Sequence, residues 1–151
     1  MTKAASRTGI RRRGRECAVH LLYQLDASNF VGNVDDTLMA FWAVGGDDED
    51  EAPGAETRAF TEHLVRGVVH RLTEVDQAIQ RSTQHWRLER MARVDRNILR
   101  LAAWELIYGG DAPPRVVLNE AIDIAKKFGT EESGAFVNGI LDRVAQDAPK
   151  A

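Results

Sequence analysis

Cysteine is almost absent from this chain: Cys17 stands alone among 151 residues. A single thiol closes no internal disulfide, so the fold has to rest on packing, and a cytosolic setting fits. Long apolar runs are missing as well. The longest candidate, residues 97–108, is interrupted by Arg100 and Glu105, which excludes it as a membrane-spanning helix. No stretch alternates apolar and polar residues in the manner of a half-buried strand. Nor does the chain hold a glycine-rich phosphate loop, a nucleophile elbow or a zinc-ligand spacing. His63 and His70 share a helix face, but no carboxylate or cysteine completes a metal set beside them, and they read as solvated residues. Cys17 lies among apolar neighbours, where a thiol behaves as a small hydrophobe and a poor nucleophile. Together these absences argue against an enzyme.

What is present is ordinary in amount and uneven in distribution. The content of 44% hydrophobic and 28% charged residues is that of a soluble globular protein, and the length fits one compact domain. The formal net charge is only −3, yet Lys3, Arg7, Arg11, Arg12, Arg13 and Arg15 give residues 1–15 a charge of +6 with no acid among them, leaving −9 for the rest. The chain is a basic arm on an acidic body. Residues 1–10 read as a flexible arm and residues 11–147 as the folded domain. An arginine-rich, acid-poor start also fits an organelle targeting segment, but the basic residues run straight into an amphipathic helix that the core needs.

Apolar residues recur at helical spacing almost throughout, which predicts an all-α fold of about seven helices. The first spans about residues 11–26, with Ala18, Leu21, Leu22 and Leu25 on one face. A short second helix covers residues 36–44, with Leu38, Phe41 and Trp42 inward. The third carries a stripe of Phe60, Leu64, Val68, Leu72, Val75 and Ile79, with Thr57 as its N-cap. Trp86, Leu88 and Met91 mark a short fourth. Residues 94–108 are apolar around most of the circumference, as in a central helix, and Gly109 and Gly110 end it. Pro113 and Pro114 open the sixth, whose stripe ends at Phe128 before Gly129. Thr130 caps a seventh, with Phe136, Val137, Ile140, Leu141 and Val144 on its inner face.

Between the second and third helices, residues 45–54 read GGDDEDEAPG. Five consecutive acids repel one another and bury no apolar area, so residues 45–55 are expected to form a mobile surface loop. The arginines are harder to explain by stability. Placed in the first turn of a helix, Arg11, Arg12, Arg13 and Arg15 each cost roughly 0.3–1 kcal/mol against the helix dipole, and Arg11 and Arg15 repel one another as an i, i+4 pair. A polyanion reverses that sign, because phosphates favour guanidinium groups. Lys126 and Lys127 beside Phe128 form a second candidate, two cations next to an aromatic face on which an unpaired base could stack. The competing reading of Phe128 is a core residue.

Three segments carry a family resemblance: RRRGRECAVHLLYQLD at residues 11–26, RVDRNILRLAAWEL at 93–106, and VVLNEAIDIAKKFGTEESGAFVNGILDRV at 116–144. They are similar to the arginine-rich opening, the central buried helix and the C-terminal hallmark of the NusB family of transcription antitermination factors. The likeness covers most of the chain outside residues 31–55. It implies an all-α fold of two helical subdomains, no cofactor and no catalysis. It further implies binding to boxA-type RNA together with the ribosomal protein NusE, in a complex that modifies RNA polymerase for read-through and ribosomal RNA transcription. Carried over by position, Arg11, Arg12, Arg13, Arg15, His20 and Tyr23 lie on the RNA side. Phe128, Glu132, Phe136 and Asn138 join them from the C-terminal hallmark, next to the Lys126 and Lys127 candidate. His20 departs from the glutamine-like residue of the family. Tyr23, Glu89 and Asp95 correspond to the NusE side. Two other readings share these residues: an RNA-binding domain related to those of ribosomal RNA cytosine methyltransferases, and a structural homodimer with incidental arginines. A cytoplasmic protein with no membrane association is expected.

Deleting residues 47–51 is expected to leave the thermal unfolding midpoint unchanged, because such a segment buries almost nothing. A loss of cooperative unfolding in the deletion variant, followed by circular dichroism, would show that the acids dock onto the body.

Overall fold

The structure, a computed structural model, describes residues 6–46 and 52–148. Regular structure among them is entirely helical: α1 (Arg7–Ala27), α2 (Val34–Ala43), α3 (Ala55–His70), α4 (Leu72–Ser82), α5 (Arg93–Trp104), α6 (Pro114–Phe128) and α7 (Ser133–Asp147). No described helix is long and apolar enough to cross a membrane. The chain divides into two compact units, Met1–Arg66 and Gly67–Ala151, with the division falling in the last turn of α3.

In the first unit, α1 begins a turn earlier than its arginines imply. Ser6 is extended and its Oγ accepts the Gly9 N–H at 3.0 Å, an N-cap that the sequence reading passed over. Residues 7–10, expected in a flexible arm, are therefore helical. The correction matters for electrostatics. The helix dipole acts within the first turn, so its penalty falls on Arg7, and Arg11, Arg12, Arg13 and Arg15 sit deeper in the helix. Cys17, Ala18, Leu21, Leu22 and Leu25 are buried along α1, as are Leu38 and Phe41 on α2. Asn33 Oδ1 accepts the Asp35 N–H at 2.8 Å and starts α2 before the expected Asp36. Trp42 is half-buried and donates its Nε1 to Glu62 at 3.0 Å. Thr57 is not a cap: it lies inside α3, where its carbonyl accepts the Thr61 hydroxyl at 2.8 Å. The acidic residues 47–51 lie outside the described residues.

The expected third helix is two helices, α3 and α4. The Arg71 N–H is shared between the carbonyls of Gly67 and Val68, both at 3.2 Å, and the axis breaks there. Val68, Val75 and Ile79 stay buried on both sides of the break, so the apolar spacing carried no sign of it. The short fourth element is one 3-10 turn, Leu88–Arg90. The central helix is buried from Asn97 to Trp104, then widens into a π-helical turn, Glu105–Gly109, which Gly110 closes at φ 70. Trp104 lies where a Cβ on Gly67 would stand, so only glycine admits the ring at the end of α3. The start of α6 at Pro114 is as expected. That of α7 is not: Ser133 Oγ accepts the Thr130 N–H at 2.9 Å, so Thr130 serves as a donor in the turn and α7 begins three residues later.

One polar network is set inside the second unit. Arg100 is buried, and its Nε and Nη2 meet the two carboxylate oxygens of Asp76 at 2.8 and 3.1 Å, while Nη1 donates to Asn97 Oδ1 at 3.1 Å. The Asn97 amide in turn donates to the Arg93 carbonyl at 2.9 Å. A paired fork of this kind ties α4 to α5 in one register. In the first unit, Arg66 instead meets Asp35 at 2.6 Å and Glu62 at 3.6 Å with all three side chains in water. The hydrogen bond to Asp35 raises the Arg66 pKa, but the group is already protonated, so no pH dependence follows.

Asp76→Ala strands a buried guanidinium and is expected to cost about 3 kcal/mol. Arg66→Ala is expected to cost under about 1 kcal/mol, since exposed pairs are screened by solvent. Urea denaturation of the two variants side by side tests the ranking, and equal losses would refute it.

Candidate nucleic-acid interface

The arginines of α1 form three rows at helical spacing. Arg11 and Arg15 stand one turn apart and face α3, where the Arg11 guanidinium lies 4.4 Å and that of Arg15 5.5 Å from the centre of the Phe60 ring. Arg15 is only 4% exposed. This burial removes it from the guanidinium groups open to a phosphate and makes it a support for its neighbours. Arg12 is exposed and shares a row with Tyr23, 40% exposed, while half-buried Arg13 shares the next row with half-buried His20. The surface-facing set is therefore Arg11, Arg12, Arg13, His20 and Tyr23.

Phe60 reaches this position because residue 14 is glycine. A Cβ there would run into the ring at Cδ2. The Gly14 carbonyl also accepts the Thr61 hydroxyl at 3.3 Å, a second tie between α1 and α3. Beside the ring lies an open depression of about 550 Å³ lined by Arg7, Ile10, Arg11, Glu56, Ala59 and Phe60. Sequence reading missed Gly14 and Phe60 as parts of the site, having placed Phe60 in a core stripe. Attraction of a cation to an aromatic face positions it without cancelling its charge.

The second candidate lies in the other unit, at the turn between α6 and α7. Lys126 and Lys127 are exposed, Phe128 is half-buried, and the Lys127 ammonium sits 5.2 Å from the Phe128 ring centre. The fully buried core reading of Phe128 does not hold. Gly129 donates its N–H to the Ala125 carbonyl at 2.8 Å, and a Cβ on it would collide with the Ser133 hydroxyl, so the turn is as tight as a glycine allows. Two lysines in the last turn also suit the negative end of the α6 dipole. Glu132 and Asn138 are exposed, and half-buried Phe136 meets Trp86 edge-on at 5.8 Å.

The residues assigned to a protein partner are distributed over both units. Tyr23 belongs to α1. Glu89 is exposed on the 3-10 turn, 3.7 Å from Arg87. Asp95 lies in the first turn of α5, and its Oδ1 is shielded from water without accepting a hydrogen bond from any described residue. Among the described residues no group of three histidine, cysteine or acidic side chains could hold a metal ion.

Residues 12–146 match the sequence pattern of the NusB family. The chain belongs to the NusB family. Its relative in Sorangium cellulosum, transcription antitermination protein NusB, is 46% identical over 140 residues, spanning 92% of this chain and 94% of that one. NusB of T. maritima has a solved structure with TM-score 0.80 at 35% identity, covering 99% of this chain and 96% of the other. A crystal structure of antitermination factors NusB and NusE in complex with dsRNA contains a chain with TM-score 0.75 at 26% identity, covering 91% of this chain and 96% of that one. The helical architecture expected from the NusB resemblance is thus matched along nearly the whole chain.

Gly14→Ala is expected to destabilise the protein by about 1–3 kcal/mol, because the added methyl displaces a packed ring. Differential scanning calorimetry reads the loss. A variant as stable as the parent would show that Phe60 and its two arginines rearrange freely.

Proposed function

We propose that this chain is a transcription antitermination factor that binds boxA-type RNA together with the ribosomal protein NusE in the cytoplasm. In this reading the assembly lets RNA polymerase pass terminators and complete ribosomal RNA transcripts, and the chain itself catalyses no reaction. The observation that carries the proposal is the arginine face of α1. Arg11 is held against the Phe60 ring, and exposed Arg12 and half-buried Arg13 lie beside it. Guanidinium groups bind phosphate oxygens through paired N–H donors, which suits a nucleic-acid backbone. Membership of a family whose relatives are named for antitermination, and a related NusB seen with NusE and dsRNA, support the same partners here.

The residues divide by role. Arg11, Arg12 and Arg13 neutralise phosphates, Arg15 supports them from within, and His20 and Tyr23 extend the face along α1. Lys126 and Lys127 add charge at the α6–α7 turn. There Phe128 and Phe136 offer aromatic surface to unpaired bases, and Glu132 and Asn138 offer hydrogen-bonding groups. Tyr23, Glu89 and Asp95 meet NusE.

Replacing Arg11, Arg12 and Arg13 by alanine is expected to weaken binding to a boxA-type RNA while preserving the helical circular dichroism spectrum. Each lost phosphate contact lowers the slope of log affinity against log salt by roughly 0.7. Phe128→Ala should reduce affinity through lost stacking, worth about 1–3 kcal/mol per base, and leave that slope nearly unchanged. Fluorescence anisotropy at several salt concentrations reads both effects. A triple-alanine variant that binds as tightly and with the same salt slope as the parent refutes the proposal.

A further inference from the structure

Trp86 is a large aromatic residue that packs into no core. It is 54% exposed, although Leu88 and Met91, which follow it at the 3-10 turn, are buried. Its backbone is fixed by one side chain. Gln80 Nε2 donates to the carbonyls of Trp86 at 2.9 Å and Thr83 at 3.2 Å, and Gln80 Oε1 accepts the Leu88 N–H at 3.1 Å. The indole is held from the side as well, through its edge-on contact with Phe136 at an interplanar angle of 89°. Ring and loop are thus ordered in advance while much of the indole remains open to solvent. Around it runs an open groove of about 530 Å³ lined by Gln80, Gln84, His85, Trp86, Arg87 and Arg90.

The lining decides what the groove suits. Its ionisable members are Arg87, Arg90 and His85, with no carboxylate, on a chain that is net acidic beyond residue 15. Among the described residues Arg87 meets the Glu89 carboxylate, a water-exposed contact at 3.7 Å that a stronger anion displaces readily. Apart from Trp86 no lining residue is apolar, so a hydrophobic peptide finds little to bury against. A flat, preordered aromatic face flanked by guanidinium groups is the arrangement that binds single-stranded nucleic acid, one base stacking while phosphates meet the cations.

We propose that the Trp86 groove is a further RNA-contacting site, in which an unpaired base stacks on the indole and the flanking phosphates are held by Arg87 and Arg90. The proposal rests on the RNA-binding reading above and extends it to a segment of RNA beyond the bases at Phe136.

The test titrates the full-length protein with a boxA-type RNA carrying single-stranded flanks, read by intrinsic tryptophan fluorescence and by affinity at several salt concentrations. RNA should quench the parent, and Trp86→Phe should lose most of that quench while binding within about threefold, since a phenyl ring still stacks. Trp86→Ala should bind about tenfold more weakly with an unchanged salt slope. Arg87→Gln and Arg90→Gln should each lower the slope by roughly 0.7. If Trp86→Ala fails to fold, the loss or persistence of the quench in Trp86→Phe decides the matter. Parent-like affinity in a folded Trp86→Ala, or a quench that survives in Trp86→Phe, overturns this site alone and leaves the arginine face standing. Parent-like RNA binding with lost binding of a protein partner overturns it in favour of a protein contact. A parent protein that binds no RNA overturns the underlying reading as well.

Discussion

The contact of the Phe60 ring with Gly14 is the constraint on which the first unit and its candidate site depend. Because residue 14 has no Cβ, the ring sits against α1 and presents its face to Arg11 and Arg15. For Arg11, the aromatic face holds the guanidinium and leaves its charge in place. Arg15 is buried beside the same ring, while Arg12 is exposed and Arg13 half-buried. A packing requirement at one glycine thereby becomes an electrostatic property of the surface.

The second unit solves its polar problems differently. Its buried guanidinium is neutralised by Asp76 and further satisfied by Asn97, a closed network suited to fixing helix register. One of its exposed aromatic residues is positioned by an amide: Gln80 uses both ends of its side chain to hold the backbone around Trp86. In one unit an aromatic ring supports cations. In the other an amide supports an aromatic ring. Both arrangements order a side chain before any ligand arrives, which spares the binding step some loss of conformational freedom.

Much of this was legible in the sequence, for physical reasons that also set the limits. Apolar spacing revealed the helices and the central position of α5, because burial imposes a period on the residues themselves. It did not reveal the break at Arg71, since Val68, Val75 and Ile79 remain in phase across it. The starts of α1, α3 and α7 differ from those expected, because a hydroxyl residue in the sequence does not show whether it caps a helix, lies inside it or precedes it. The cluster of arginines was visible as charge. That Arg15 turns inward was not, because its partner Phe60 is distant in sequence and reads as a core residue. Composition groups Trp86 with Leu88 and Met91, but Trp86 lies in the irregular segment before the 3-10 turn, where no helical period governs which way a side chain faces.

Cys17, fully buried in the middle of α1, has a consequence of its own. A thiol reagent reaches it only when the surrounding structure opens, so its modification rate measures how often that part of the chain unlocks under native conditions. The same helix carries the arginine face. The lone thiol is therefore a built-in reporter of how long that face stays ordered, readable without any partner present.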